Sequence, residues 1–322
     1  MTQSDSALGD AAETAVEQCL GVAPGESFVV VTDDERRGIG DALYRAGAER
    51  TDDVVVVQYP PGPQHGAEPP AAVAAAMRES DVFVAPTTKS ISHTRARSAA
   101  CENGARGATM PGITEEVMIA GLDADYGEIS DHCEAVYEQV SGAAEVRVTT
   151  EAGTDIIFEP GGREWHTDTG LVHEPGAFSN LPAGEVFVSP ETAQGTYVVD
   201  GTMRPHGLLD RQLRFEVEDG YVTHISDDAV REQVEEGAES VGLDAYNLAE
   251  LGIGTNVGVT ELVGSVLLDE KAAGTVHIAI GDDASIGGDT EAPLHLDGIV
   301  REPTVYADGV EVELPQQRTA EP

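Results

Sequence analysis

Lysine is nearly absent from this chain of 322 residues, which has only Lys89 and Lys271. Basic residues number 18 in all against 59 acidic ones, for a formal net charge of -41. A surface of that sign repels phosphate, which excludes nucleic acid and anionic membrane as partners. It suits a halophile's cytoplasm, where molar salt screens the repulsion within roughly 3 Å. Cysteine is scarce too. Cys19, Cys101 and Cys133 form no C-x-x-C pair, which argues against a disulfide frame or a thiolate zinc site and leaves them as buried filler. No run approaches the ~20 apolar residues of a membrane span. The opening "MTQSDSALGDAAETAVEQCLGV" has neither the basic nor the apolar region of a signal peptide, so a cytoplasmic protein is expected. The chain also lacks a G-x-S-x-G elbow, a P-loop and a G-x-G-x-x-G following a strand, so serine-hydrolase and nucleotide-binding readings have no support.

What is present falls into two textures. In the first, "SFVVVTDD", "DDVVVVQYP", "DVFVAPT" and "GATMPGITEEVM" are short Val-rich strands alternating with helical stretches. That pattern predicts an α/β domain with a mostly parallel sheet over residues 1–140. From there to residue 322, short alternating strands with Gly and Asp-Gly turns predict a β-rich α+β domain. Two helices interrupt it, "DAVREQVEEGAESVG" and "GVTELVGSVLLDEKAAG", the second expected to be capped by Thr260.

The stretch "TVHIAIGDDASIGGDTEAPLHLDGIV" carries the chemistry. His277 interrupts an apolar alternating run, and after a Gly-rich loop His295 and Asp297 follow at strand spacing, on one face. A second His-x-Asp, His166 and Asp168 in "WHTDTG", sits among turn residues and is expected to be an exposed turn. Two glutamates have apolar neighbours where a surface glutamate would have polar ones. They are Glu185 in "NLPAGEVFVSP" and Glu250 in "NLAELGIGTN", the latter ahead of what reads as a Gly-rich turn. A buried carboxylate needs a cation or hydrogen bonds, and in a chain this poor in Lys and Arg a metal is the plausible cation. Glu185, Glu250, His277, His295 and Asp297 form an N/O ligand set suited to zinc, cobalt, manganese or iron. Five ligands suit two metals sharing a carboxylate, an arrangement that can activate a hydroxide for hydrolysis.

The series "NLPAGEVFVSPE", "AELGIGTN", "GTVHIAIGDD" and "PLHLDGIV", in that order, resembles the metallo-aminopeptidases of the aminopeptidase T and aminopeptidase S kind. The resemblance is strongest over residues 178–300. It implies two divalent ions, zinc, cobalt or manganese, held by those five residues, a peptide substrate trimmed from its N-terminus, and a homodimer. Glu261 is the residue suggested for the general base. The family pattern also has a ligating tyrosine on the loop after His277. Here Ala284 stands near that place, with Asp282, Asp283 or water as possible substitutes. The same superfamily look extends to an iron-dependent ring-cleaving dioxygenase acting on dihydroxypyridine, which uses a histidine–histidine–carboxylate set that His277, His295 and Asp297 would satisfy with Fe(II). On that alternative His93 in "SISHTRAR" is a candidate base, or an exposed helix-start residue, and Arg95 and Arg97 are candidate anchors for a substrate carboxylate. A third reading is a non-catalytic relative.

Overall fold

The computed structural model describes residues 3–318. The backbone divides into two compact units, residues 1–130 with 169–183 and residues 131–168 with 184–322. Among the described residues no helix is long and apolar enough to cross a membrane.

The first unit is the expected α/β domain. Its five strands lie in the order Val54–Tyr59, Phe28–Asp33, Val82–Thr87, Arg106–Pro111, Phe178–Asn180, every pair parallel. The central Phe28–Asp33 and Val82–Thr87 are buried at every position, as continuous apolar runs in a covered parallel sheet should be. Val29, Val31, Phe83 and Ala85 from these strands pack with Val73 and Met77 of helix Ala71–Arg78 and with Ala100 of helix Arg95–Glu102. Two helix starts are satisfied by side chains: Thr94 accepts from Arg97 N, and Thr114 from Val117 N.

The second unit is the β-rich domain, built from two seven-stranded antiparallel sheets. One runs Tyr221–Ile225, Leu213–Glu218, Thr192–Val199, Asp155–Glu159, Val146–Thr149, Thr304–Ala307, Val310–Glu311. The other runs Gly207–Leu208, Thr202–Met203, His295–Val300, Val276–Gly281, Leu248–Gly254, Glu185–Val188, His166–Asp168. Helix Asp228–Val241 appears as predicted, capped by Asp227, whose side chain accepts from Val230 N.

Three local expectations are corrected. The helix predicted over "GVTELVGSVLLDEKAAG" is reduced to the single turn Val266–Asp269, preceded by Ser265 rather than capped by Thr260. Gly264 lies in the left-handed region, φ 82°, and the Asp269 carboxylate draws Val263 N and Gly264 N into a loop instead. The glycines of "GIGTN" do not turn after Glu250, because Gly252 and Gly254 lie within strand Leu248–Gly254. His166 and Asp168 are not in an exposed turn. They form a half-buried edge strand paired with Glu185–Val188.

Candidate metal centre

Register in the second sheet brings Glu185, Glu250, His277, His295 and Asp297 onto one face. Directly paired residues in antiparallel strands project to the same side. Glu250 pairs with Ala279, and Ala279 with Asp297, so the two carboxylates flank a methyl group that leaves the space between them open. One step along, Phe187, Gly252, His277 and Ile299 form the next row. Glu185 opens its strand opposite Gly254.

Two backbone features make this possible. A bulge between Leu248 and Glu250 shifts the register by one residue. Without it Glu250 would pair with Ile278 and point to the opposite face. A side chain at Gly252 would place its Cβ 2.0 Å from Cε1 and Nε2 of His277, so glycine there gives the imidazole room to lean toward Glu185.

His277 Nε2 lies 3.1 Å from Glu250 Oε1 and 3.4 Å from Glu185 Oε2. His295 Nε2 lies 3.3 Å from Glu250 Oε2 and 3.2 Å from Asp297 Oδ1. Glu250 is therefore common to both imidazoles. Ligand-type atoms of Glu185, Glu250 and His277 lie within 4.8 Å of one another, as do those of Glu250, His295 and Asp297. His277, Glu185 and Glu250 are buried, whereas His295 is at the rim, its side chain 33% exposed.

The electrostatics follow from this crowding. Burial raises the Glu185 carboxyl to about 7, against the pull of Lys271 and His277. At Glu250 burial also works against ionisation, but hydrogen bonds from His277 and His295 outweigh it and hold the group well below the usual carboxylate range. Desolvation disfavours the charged form of His277, yet the bond to Glu250 and the charge of Glu185 push it up to about 9. His295 is raised in the same way by Asp297 and Glu250.

The residues fit a divalent ion. Each Nε2 faces two carboxylate oxygens, and Glu185 Oε2 is buried with no hydrogen-bond donor, a costly state that a cation relieves. Nδ1 of His295 donates to the Asp282 carbonyl at 2.7 Å, which fixes the tautomer with the Nε2 lone pair turned to the cluster. The donors are imidazole nitrogen and carboxylate oxygen with no thiolate, a set for zinc, manganese, cobalt or iron(II).

Sequence reasoning missed several participants. Buried Lys271 contacts Glu185 Oε1 and lies 2.9 Å from Glu270 Oε1. Its rarity was the available signal. Asp283 does not fill a tyrosine's coordination place. Its carboxylate is buried and accepts from Ser189 Oγ at 2.9 Å, Asn247 Nδ2 at 2.9 Å and Thr290 N at 2.7 Å. The Asp282 carboxylate accepts from Ala292 N, so both aspartates organise the loop. Ala284 is exposed on a single 3-10 turn, Ala284–Ile286. Glu261 is exposed in the irregular segment before Val266–Asp269 and belongs to neither ligand group. In the first unit His93 is exposed in the turn before helix Arg95–Glu102. Both arginines suggested as anchors are engaged: Arg95 with Glu68, and Arg97 with the Ser92 carbonyl and the Phe178 ring.

Comparison with known proteins separates the two activities suggested by the resemblance. The family model described as NicX, 2,5-dihydroxypyridine 5,6-dioxygenase, matches residues 8–314. The 2,5-dihydroxypyridine 5,6-dioxygenase of Pseudomonas putida is 26% identical over 186 residues, 53% of this chain and 53% of that protein, so the match spans about half the relative's length. The solved structure of 2,5-dihydroxypyridine dioxygenase from Pseudomonas putida KT2440 has a TM-score of 0.78 at 20% identity, covering 98% of each chain. Wild-type AmpT from Thermus thermophilus has a TM-score of 0.65 at 19% identity, covering 96% of this chain and 99% of that one. The expectation of a hydrolytic metallo-aminopeptidase is thereby corrected: its family is that of a dioxygenase, and the likeness to AmpT is one of fold. The physical reason lies in the motifs that carried the resemblance. They lie on or beside the strands of one sheet, and a sheet can be common to proteins of different chemistry.

Proposed function

We propose, for a chain that belongs to the 2,5-dihydroxypyridine 5,6-dioxygenase (NicX) family, an oxygen-dependent ring cleavage of a hydroxylated pyridine at a centre loaded with Fe(II). The observation that carries this reading is the extent of the family match. Residues 8–314 take in both units and every member of the His–carboxylate cluster.

Iron(II), when bound, supplies the one-electron chemistry that triplet dioxygen needs to react with a closed-shell ring. The chain's own residues do the rest. His277 and His295 present Nε2, and Glu250 stands between them as their common carboxylate. Two imidazoles and a carboxylate are the donor pattern of non-haem Fe(II) oxygenases, and here Glu250 links two ligand groups, one with His277 and Glu185 and one with His295 and Asp297. Asp297 adds a second carboxylate beside His295. The Asp282 carbonyl keeps the proton of His295 on Nδ1, away from the donor atom.

The test is oxygen uptake by protein loaded with Fe(II) under anaerobic conditions and then given 2,5-dihydroxypyridine and air, in molar salt because of the net charge of -41. One O₂ consumed per ring opened, and no turnover without oxygen, is the expected result. Ring loss that proceeds equally without oxygen, or no uptake by the iron-loaded protein, rejects the reading.

A further inference from the structure

The two ligand groups share Glu250 but differ in one respect. In the first, one oxygen of Glu185, Oε1, already has a cation. Lys271, 3% exposed, contacts Glu185 Oε1 and also pairs with Glu270 Oε1 at 2.9 Å. In the second group, Glu250, His295 and Asp297, the carboxylates meet imidazole and, among the described residues, no lysine or arginine. An ammonium has three donors and no lone pair, so it takes up a carboxylate as a metal would but can never ligate one. A divalent ion held by Glu185 Oε2, Glu250 and His277 would be separated from that ammonium by a single carboxylate, in a buried site where screening is weak.

We propose that Lys271 occupies the place of a second cation and limits this cluster to one divalent ion per chain. Its function is that of a positioning residue acting through Glu185. The composition of the chain agrees with this. Lysine is stripped from the sequence almost entirely, yet one of the two that remain is buried against these carboxylates. Depletion for solvation acts on exposed lysines, so a buried one that balances charge is left in place. The inference rests on the reading of the cluster as a metal site, and it fixes how many ions that site holds.

The test is the number of ions per chain after saturation with Mn²⁺ alone and desalting into metal-free high-salt buffer, counted by elemental mass spectrometry. The wild-type chain should hold one ion, Lys271→Arg one, and Lys271→Met two. Should Lys271→Met fail to fold, as judged by circular dichroism, the pair Lys271→Met with Glu270→Gln removes one charge of each sign and carries the same expectation. Two ions in the wild-type chain, or one in a folded Lys271→Met variant, overturns the role of Lys271 and leaves the metal site standing. No ion in the wild-type chain overturns the metal-site reading itself, and this inference with it.

Discussion

Strands Phe28–Asp33 and Val82–Thr87 of the first unit and strands Leu248–Gly254 and Val276–Gly281 of the second are buried at every position. The first pair holds Val, Phe, Ala and Pro86, with Thr32, Asp33 and Thr87 only toward its C-terminal ends. In the second pair Glu250 and His277 sit inside the strands. Burying an ionisable group costs free energy that an apolar side chain at the same position does not. Asp33 ends its strand and accepts from Glu35 N, Arg36 N and Thr88, whereas Glu250 and His277 lie mid-strand. Burial is therefore stabilising along the first pair and contested within the second. The contested pair also contains a bulge and three glycines, Gly252, Gly254 and Gly281, each a weakness in a strand taken alone. Sites spend stability on geometry in this way, and the difference between the strand pairs marks where the chemistry lies.

The sharpest way to break the comparison is to remove the shared ligand. Glu250→Ala takes a donor from both groups at once. Retention of Fe(II) or Mn²⁺ should fall by more than the roughly 10–100-fold that loss of an outer partner costs, and oxygen uptake should fall with it. Elemental analysis beside a thermal melt checks this, because the folded second unit should persist. A Glu250→Ala protein that keeps its ion would show that Glu250 is not the shared ligand.

Gly252→Ala tests whether the glycine is a functional gap. The added methyl would overlap His277, so the ring must move or the strands must part. Overpacking of this kind costs about 1–3 kcal/mol, and the displaced Nε2 should also weaken metal retention. Unchanged melting temperature and unchanged ion content together would contradict the packing seen here.

The loop supplies a weaker perturbation. Asp283 anchors it through Ser189, Asn247 and Thr290, and the neighbouring Asp282 carbonyl holds His295. Asp283→Ala should lower metal affinity about 10–100-fold, the usual cost of losing support behind a ligand. Asp283→Asn, which keeps an acceptor oxygen, should lose less. Equal affinity in Asp283→Ala, measured by competition with a chelating dye, would separate the loop from the site.

Much of this was legible in the sequence because the signals were local. Val-rich runs alternating with helices gave the parallel sheet, and Asp-Gly turns gave the hairpins. Imidazole and carboxylate among apolar neighbours marked out Glu185, Glu250, His277, His295 and Asp297, which strand register brings onto one face. What was not legible depends on register. The bulge that turns Glu250 to its face follows from strand pairing and has no signature in "NLAELGIG". The three-residue strand Phe178–Asn180, which pairs with Arg106–Pro111, is too short to show a period. His166 read as a turn because its strand is also three residues long. Lys271 was visible as a rarity, but its partner Glu185 is 86 positions away. The activity was misassigned for the same reason: ligand motifs on strands report the sheet, and the sheet does not choose between hydrolysis and oxygen chemistry.

The smallest effect on the site should come from the other strand pair. Val84 is wholly buried in Val82–Thr87, and Val84→Ala removes two methyl groups from a filled core. At about 0.8 kcal/mol per buried carbon plus a cavity contribution, the loss should be roughly 2 kcal/mol, seen as a lower melting temperature. Metal content should not change, since Val84 belongs to the first unit and every ligand to the second. If Val84→Ala sheds the ion while the second unit stays folded, the two strand pairs are coupled. The contrast between apolar and ligand-bearing strands would then describe one cooperative structure with the metal as part of its core.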